Sequence, residues 1–204
     1  MSKAVIISAG TIADYEYTKA FIAEDDFVIC ADGGISHAKM MGVTPNLTVG
    51  DFDSYKGEVT GDVRRFNPEK DYTDTDIAVK TAMEKGYKEI ILLGATGTRL
   101  DHTISNIGLL EYITKTGGEG YVVNENNIIT VIDKKTVIKP MKGWHLSLIP
   151  IGEVKGVTLK NLKYPLENYD LKFSQSLAVS NEFTDKDAVI DIKEGSLIVI
   201  KSRD

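Results

Sequence analysis

A change of hydrophobic texture near residue 120 constrains this chain more than any other feature. Before it, continuous apolar runs of strand length, Val5-Ile6-Ile7, Phe27-Val28-Ile29 and Ile90-Ile91-Leu92-Leu93, alternate with segments of helical period. Unbroken apolar runs of that length are what strands covered on both faces require. The segment Ile77–Lys85 reads as a helix stopped by Gly86, and a second helix starts near Asp101, carries Ile104, Ile107, Leu110 and Ile113, and ends before Gly117-Gly118. Strand and helix in alternation predict a parallel sheet with helices on both faces. After Tyr121 the runs are short and β-branched: Ile128–Ile132, Thr136–Ile138, Leu146–Ile149, Val157–Leu159, Ala188–Ile192 and Leu197–Ile200. Gly, Pro, Asn and Lys separate them, and nothing of helical length intervenes, which predicts an antiparallel sandwich. The expected fold is therefore a three-layer α/β domain over residues 1–122 followed by an antiparallel β-sandwich domain over 123–204. Gly117–Gly120 and Asn124–Asn127 are read as the turn-rich join.

Composition narrows the function classes. The 204 residues are 42% hydrophobic and 26% charged, which suffices for a packed core. Basic residues number 24 and acidic residues 30, a net charge of −6, which argues against nucleic acid and anionic membranes as partners. No apolar run approaches the roughly 18 residues that span a bilayer. Met1-Ser2-Lys3 leads directly into Ala4-Val5-Ile6-Ile7, so no signal peptide is expected and the expected location is cytoplasmic. The single cysteine, Cys30, excludes an internal disulfide and reads as a buried packing residue.

Six aspartates stand at the ends of strands or the starts of helices, the rim where open parallel sheets bind ligands: Asp32, Asp51, Asp53, Asp71, Asp74 and Asp101. Some have plain structural readings. Asp74 and Asp101 can cap the helices that follow them, and Asp32-Gly33 is a common turn pair. Asp51 and Asp53 are harder to explain that way. Two carboxylates two residues apart in Gly50-Asp51-Phe52-Asp53-Ser54 repel each other, and a cation between them is the economical reason. Carboxylate donors without cysteine or clustered histidine suit Mg²⁺ or Mn²⁺, and Mg²⁺ commonly completes its shell with substrate phosphates. Gly33-Gly34 and Gly94–Thr98 can offer backbone N–H groups to phosphate oxygens, and Arg99 a forked contact. Ser8–Thr11 can place a further turn on the same rim, while His37 either reaches the phosphates or lies on a helix surface. No Walker-type phosphate loop, dinucleotide fingerprint or Gly-x-Ser-x-Gly elbow is present.

These residues give the chain a specific resemblance. Ala31-Asp32-Gly33-Gly34, Gly50–Ser54, Lys70–Asp74 with Asp76, and Gly97–His102 resemble the motifs of the thiamine pyrophosphokinase family. Leu148–Gly152, Asn161–Leu166 and Val179–Glu182 continue the match in the same order. The resemblance implies an ATP- and Mg²⁺-binding catalytic α/β domain, a thiamine-binding and dimerising β-sandwich, and a homodimer with active sites at its interface. It implies transfer of the pyrophosphoryl group of ATP to the hydroxyl of thiamine, giving thiamine diphosphate and AMP. By motif match Asp51, Asp53 and Asp74 hold Mg²⁺, with Asp71 and Asp101 at further acidic positions. Asp32, Gly33, Gly34, Arg99, Asp101 and His102 fall in the ATP-contacting motifs, and Tyr164, Ser180 and Asn181 in the thiamine-contacting segments.

The chemistry agrees with these residues. Attack of an alcohol on ATP needs charge neutralisation and positioning more than covalent help. With no His or Lys evidently placed as base, Asp71 or Asp101 is expected to orient the hydroxyl or take its proton. Tyr164 is expected to stack on the thiazolium ring or else to be a sandwich aromatic, and Trp144 to sit in the core. The alternatives are a Mg²⁺-dependent pyrophosphokinase for another heterocyclic alcohol such as a pterin, and a non-catalytic sensor of a nucleotide or thiamine diphosphate.

Overall fold

A computed structural model of the chain describes residues 2–50, 62–65 and 71–204. It divides into two compact units, Met1–Glu125 and Asn126–Asp204.

In the first unit the strands are β1 (Ala4–Ile7), β2 (Phe27–Ala31), β3 (Leu47–Gly50), β4 (Asp62–Arg65), β5 (Glu89–Leu93) and β6 (Glu119–Val123). They lie side by side in the order β4-β3-β2-β1-β5-β6, all parallel. Ile6, Ile7, Ile29, Ile90, Leu92 and Leu93 are fully buried, as strands covered on both faces must be. The covering helices are α1 (Tyr15–Lys19), α2 (Gly34–Met41), α3 (Asp74–Glu84) and α4 (Leu100–Lys115). From β1 the chain steps outward through β2 and β3 to β4, then returns to lay β5 and β6 on the other side of β1. Right-handed crossovers in opposite directions put α1 and α2 on one face and α3 and α4 on the other, and α1 packs on α2 while α3 packs on α4. The loops after β1 and β5 therefore part at a topological switch point, the place where open sheets of this kind bind ligands.

The second unit comprises β7 (Asn127–Ile132), β8 (Thr136–Ile138), β9 (His145–Lys160), β10 (Leu166–Lys172), β11 (Asn181–Glu182), β12 (Ala188–Asp191) and β13 (Glu194–Ser202). The first half of β9 pairs with β13 and β11, and β13 with β7, in one antiparallel sheet. Its second half pairs with β10 and β12, and β12 with β8, in another. One long strand thus serves both sheets, and Leu146, Leu148, Val157, Leu159, Leu171, Ile190, Leu197 and Val199 fill the core of the unit.

The fold class is as expected, with local departures. Leu146–Ile149 and Val157–Leu159 belong to one sixteen-residue strand. The intervening glycines accompany a register shift opposite Glu194–Ser196, so the strand bends instead of stopping. Glu119 and Gly120, part of the expected join, instead open β6, which pairs with β5 and buries Gly120, Val122 and Val123. Gly120 stands there because α4 lies close above it: a Cβ would come within 2.8 Å of Ile113 and 2.9 Å of Leu110. In α4 the inward face is Asn106, Leu109, Leu110 and Ile113, whereas Ile104 is 68% exposed. Trp144 is only half-buried, with the Arg203 guanidinium 5.0 Å from its ring, so it is not a core residue. Cys30 is buried in β2 as expected, and burial pushes its thiol up to about 12.

Candidate active site

The carboxyl ends of β1, β2 and β5 surround a cleft of about 470 Å³. Ser8–Thr11 after β1, Ala31 at the end of β2 with Asp32 after it, and Gly94–Arg99 after β5 line it, together with Thr73–Thr75, His102, Thr103 and Asn106.

Each wall has a local cause. Asp32 turns the chain from β2 into α2 with φ +46°, in the left-handed region that Asp tolerates better than most residues. Its N–H donates to the Val49 carbonyl at 2.8 Å, which ties this turn to the end of β3. At the start of α3 the N-cap is Thr73, whose hydroxyl accepts from the Asp76 N–H at 3.2 Å. Asp74 is therefore the first helical residue and faces the cleft, where a helix N-terminus favours negative charge. Ser8 and Thr75, both buried, share a hydroxyl hydrogen bond of 2.9 Å that joins the β1 loop to α3. Gly10 packs so tightly on the β5 loop that a Cβ would meet the Thr96 and Gly94 carbonyl oxygens at 2.3 and 2.4 Å.

The β5 loop is braced by side chains. Asn106 donates from α4 to the Ala95 carbonyl at 2.8 Å, and Asn124 donates to the Thr96 hydroxyl at 3.0 Å. The Thr103 hydroxyl accepts from the Gly97 N–H and donates to the Arg99 carbonyl, both at 3.2 Å. These residues escaped the reading of the sequence. Asn106 had a usable signal, because it shares a helical face with Leu109, Leu110 and Ile113, and a buried amide there needs a partner.

Of the expected ATP and metal residues, Asp32, Asp74, Arg99 and His102 share this cleft. Gly33 and Gly34 begin α2 directly behind Asp32, Gly33 as the N-cap. Asp101 is not among the lining residues. It is the second residue of α4, and the Arg99 guanidinium grips its carboxylate at 2.6 and 3.3 Å. That hydrogen bond holds the Asp101 carboxyl below its usual range and raises Arg99. Neither Asp101 nor Asp74 is an N-cap. Asp71 is exposed and also outside the cleft lining. Asp51 and Asp53 lie outside the described residues. Asp32 and Asp74 both line the cleft, and carboxylate oxygens are the hard donors that Mg²⁺ takes beside phosphate; among the described residues no cluster of three or more His, Cys, Asp or Glu stands together. His37 is not among the lining residues; its ring sits between Gly10 and Tyr15.

The expected thiamine contacts cluster in the second unit. Tyr164 is 55% exposed, and its main chain is clamped by the buried Asn181 side chain. The Asn181 Oδ1 accepts from the Tyr164 N–H at 3.0 Å and the Glu182 N–H at 2.9 Å, while Nδ2 donates to the Tyr164 carbonyl at 2.7 Å. Asn181 thus positions Tyr164. Ser180 is exposed with φ +57°, and its N–H donates to the Ser147 hydroxyl at 2.9 Å. Leu177 and Val179 just before it are also exposed, an apolar surface beside a strained turn.

Comparison with known proteins gives this geometry a family. Residues 18–121 match the model of the thiamin pyrophosphokinase catalytic domain, and residues 129–197 match that of the thiamin pyrophosphokinase vitamin B1 binding domain. The chain belongs to the thiamine pyrophosphokinase family. It is 32% identical over 173 residues to the thiamine pyrophosphokinase of Bacillus subtilis (strain 168), covering 80% of this chain and 81% of that protein. The crystal structure of thiamine pyrophosphokinase from Bacillus subtilis superposes with a TM-score of 0.90 at 27% identity, over 100% of both chains. That of thiamin pyrophosphokinase from Geobacillus thermodenitrificans gives 0.86 at 29% identity, over 100% of this chain and 98% of the other. Among the described residues no helix is long and apolar enough to cross a membrane.

Proposed function

We propose that this chain transfers the pyrophosphoryl group of ATP to the hydroxyl of thiamine, giving thiamine diphosphate and AMP. The observation that carries the reading is the switch-point cleft of Asp32, Asp74, Arg99 and His102 in a unit that matches the family's catalytic model. The adjoining unit matches the vitamin B1 binding model, which supports thiamine as acceptor and leaves the pterin and sensor alternatives without a supporting observation.

Asp74, with Asp51 and Asp53, would hold Mg²⁺, and the ion when bound supplies charge neutralisation at the phosphate oxygens. Asp32 and the loops Ser8–Thr11 and Gly94–Thr98 form the walls that orient the triphosphate, and Arg99 and His102 add positive and hydrogen-bonding groups beside it. The thiamine hydroxyl oxygen attacks the β-phosphorus of ATP. The bond between that phosphorus and the α,β-bridging oxygen breaks, and AMP leaves with the bridging oxygen. The hydroxyl proton passes to an acidic side chain or to water. Tyr164 offers the thiazolium an exposed aromatic face, worth about 0.5–2 kcal/mol as a cation–π contact. We further propose a homodimer, testable by light scattering.

Phosphorus NMR of the protein with ATP, Mg²⁺ and thiamine tests the reaction. AMP and thiamine diphosphate without ADP, formed only when thiamine is present, is the expected result. ADP as product, or no turnover, overturns it.

A further inference from the structure

One histidine touches the wall of the cleft without lining it. The His37 Nε2 lies 2.7 Å from the Gly10 carbonyl oxygen, and its Nδ1 lies 2.8 Å from the Tyr15 hydroxyl. A carbonyl only accepts, so the proton of a neutral ring sits on Nε2, and Nδ1 is left to accept from Tyr15. The hydrogen bonds therefore run in one direction, from Tyr15 through His37 to Gly10. The two rings pack with centroids 5.7 Å apart.

Gly10 is held from its other sides as well. Its N–H donates to the Gly94 carbonyl at 2.7 Å, and the neighbouring Ser8 and Thr11 N–H groups donate to the Leu93 and Thr96 carbonyls at 2.8 and 2.7 Å. The main-chain N–H groups thus fix the loop to β5 and its following loop. His37 supplies the remaining tie, from α2, to the carbonyl. A peptide plane pinned at both its ends cannot rotate, and Ser8–Thr11 are residues that line the cleft.

We infer that His37, oriented by Tyr15, is a positioning residue that sets the Ser8–Thr11 loop for the phosphate donor. The inference rests on the proposed reading of the cleft as the ATP site. It acts through Gly10 and so bears on ATP affinity, leaving the thiamine acceptor untouched.

Two measurements test it. Long-range proton–nitrogen NMR of ¹⁵N-histidine protein reads the tautomer of His37 with no reference to activity. A ring protonated on Nε2 at neutral pH is expected, and a ring protonated on Nδ1 or exchanging between tautomers overturns the relay. Steady-state kinetics then compare His37→Ala and His37→Gln, since the Gln amide places an N–H donor near the position of Nε2. His37→Ala is expected to raise the KM for ATP about tenfold, the upper end of what one net hydrogen bond supplies. The KM for thiamine should stay within about twofold, and His37→Gln should recover most of the loss. Equal effects on both substrates, or no difference between Ala and Gln, overturn the inference. Should His37→Ala fail to fold, Tyr15→Phe is the second variant, expected to raise the KM for ATP about threefold with the KM for thiamine unchanged; an unchanged KM for ATP counts against the relay. A parent protein that makes no AMP sinks the proposed reaction alone, because the dissociation constant for ATP, read by calorimetry on parent, His37→Ala and His37→Gln, then carries the same comparison; equal constants in all three overturn the inference. An active parent whose KM for ATP is insensitive to His37 sinks this inference alone.

Discussion

Replacing Asn181 with alanine separates a residue that touches substrate from one that holds another residue in place. Asn181 is 4% exposed, and its side chain makes three hydrogen bonds to main chain, two of them to Tyr164 and one to Glu182. At about 1 kcal/mol net per bond, the substitution should cost the second unit about 3 kcal/mol. Water can reach the partly exposed Tyr164 peptide and recover some of this, so about 2–3 kcal/mol is the working figure. Trp144 is the only tryptophan and belongs to that unit, so its emission during urea denaturation follows the second unit. With a urea slope of about 1–3 kcal/mol per molar, the midpoint should fall by about 0.7–3 M. Asn181→Asp should cost at least as much at neutral pH, because a carboxylate still accepts from the two N–H groups but sets a buried negative oxygen against the Tyr164 carbonyl. A midpoint for Asn181→Ala within about 0.3 M of the parent would refute the clamp and return Asn181 to the direct contacts.

Further substitutions probe other parts of the argument. Asp51→Asn, Asp53→Asn and Asp74→Asn should each lower turnover by orders of magnitude in the phosphorus assay while folding normally, since each ~1.4 kcal/mol of barrier is about tenfold in rate; near-parental turnover at saturating Mg²⁺ in all three would remove the metal assignment. Asp26, nine-tenths buried, accepts from the Lys3 ammonium at 2.6 Å and the Ala23 N–H at 2.8 Å. Burial acts to raise its carboxyl, but these bonds outweigh burial and hold it below the usual value. Its stabilisation is therefore present above the unfolded value near pH 4 and fades as pH falls through the lower folded value. Asp26→Asn should cost about 1–3 kcal/mol at pH 7, with the gap narrowing below about pH 4 in thermal scans. Ser180→Gly should raise the thermal stability of the second unit, because glycine occupies φ +57° without the roughly 1 kcal/mol penalty of a left-handed L-residue.

What the sequence showed of the fold follows from where apolar residues are continuous. β1, β2 and β5 are buried on both faces, and their apolar runs Val5–Ile7, Phe27–Ile29 and Ile90–Leu93 read directly as strands. β4 (Asp62–Arg65) and β10 (Leu166–Lys172) carry mostly charged or polar residues, so only pairing with a neighbour identifies them as strands. Likewise, the glycines near 118–120 signal a turn by composition, while their spacing beneath Leu110 and Ile113 is a matter of helix packing that composition does not encode. For the site, the strand ends were legible and the bracing was not. Ser8 with Thr75, and His37 with Gly10, join residues 67 and 27 positions apart, and no local pattern announces such pairs.

Three aspartates that look alike beside helix starts show how little decides their roles. Asp14 has no capping residue after it, so its own carboxylate accepts from the Tyr17 N–H at 2.9 Å and is spent on α1. Asp74 follows Thr73, whose hydroxyl takes the capping position, and Asp74 itself lines the cleft. Asp101 comes two residues after Arg99, whose forked guanidinium turns it aside. One neighbour in each case settles whether the carboxylate caps its own helix. The same logic applies to Asn181 and His37: a polar group near a site is available to substrate only once the main chain around it has been satisfied.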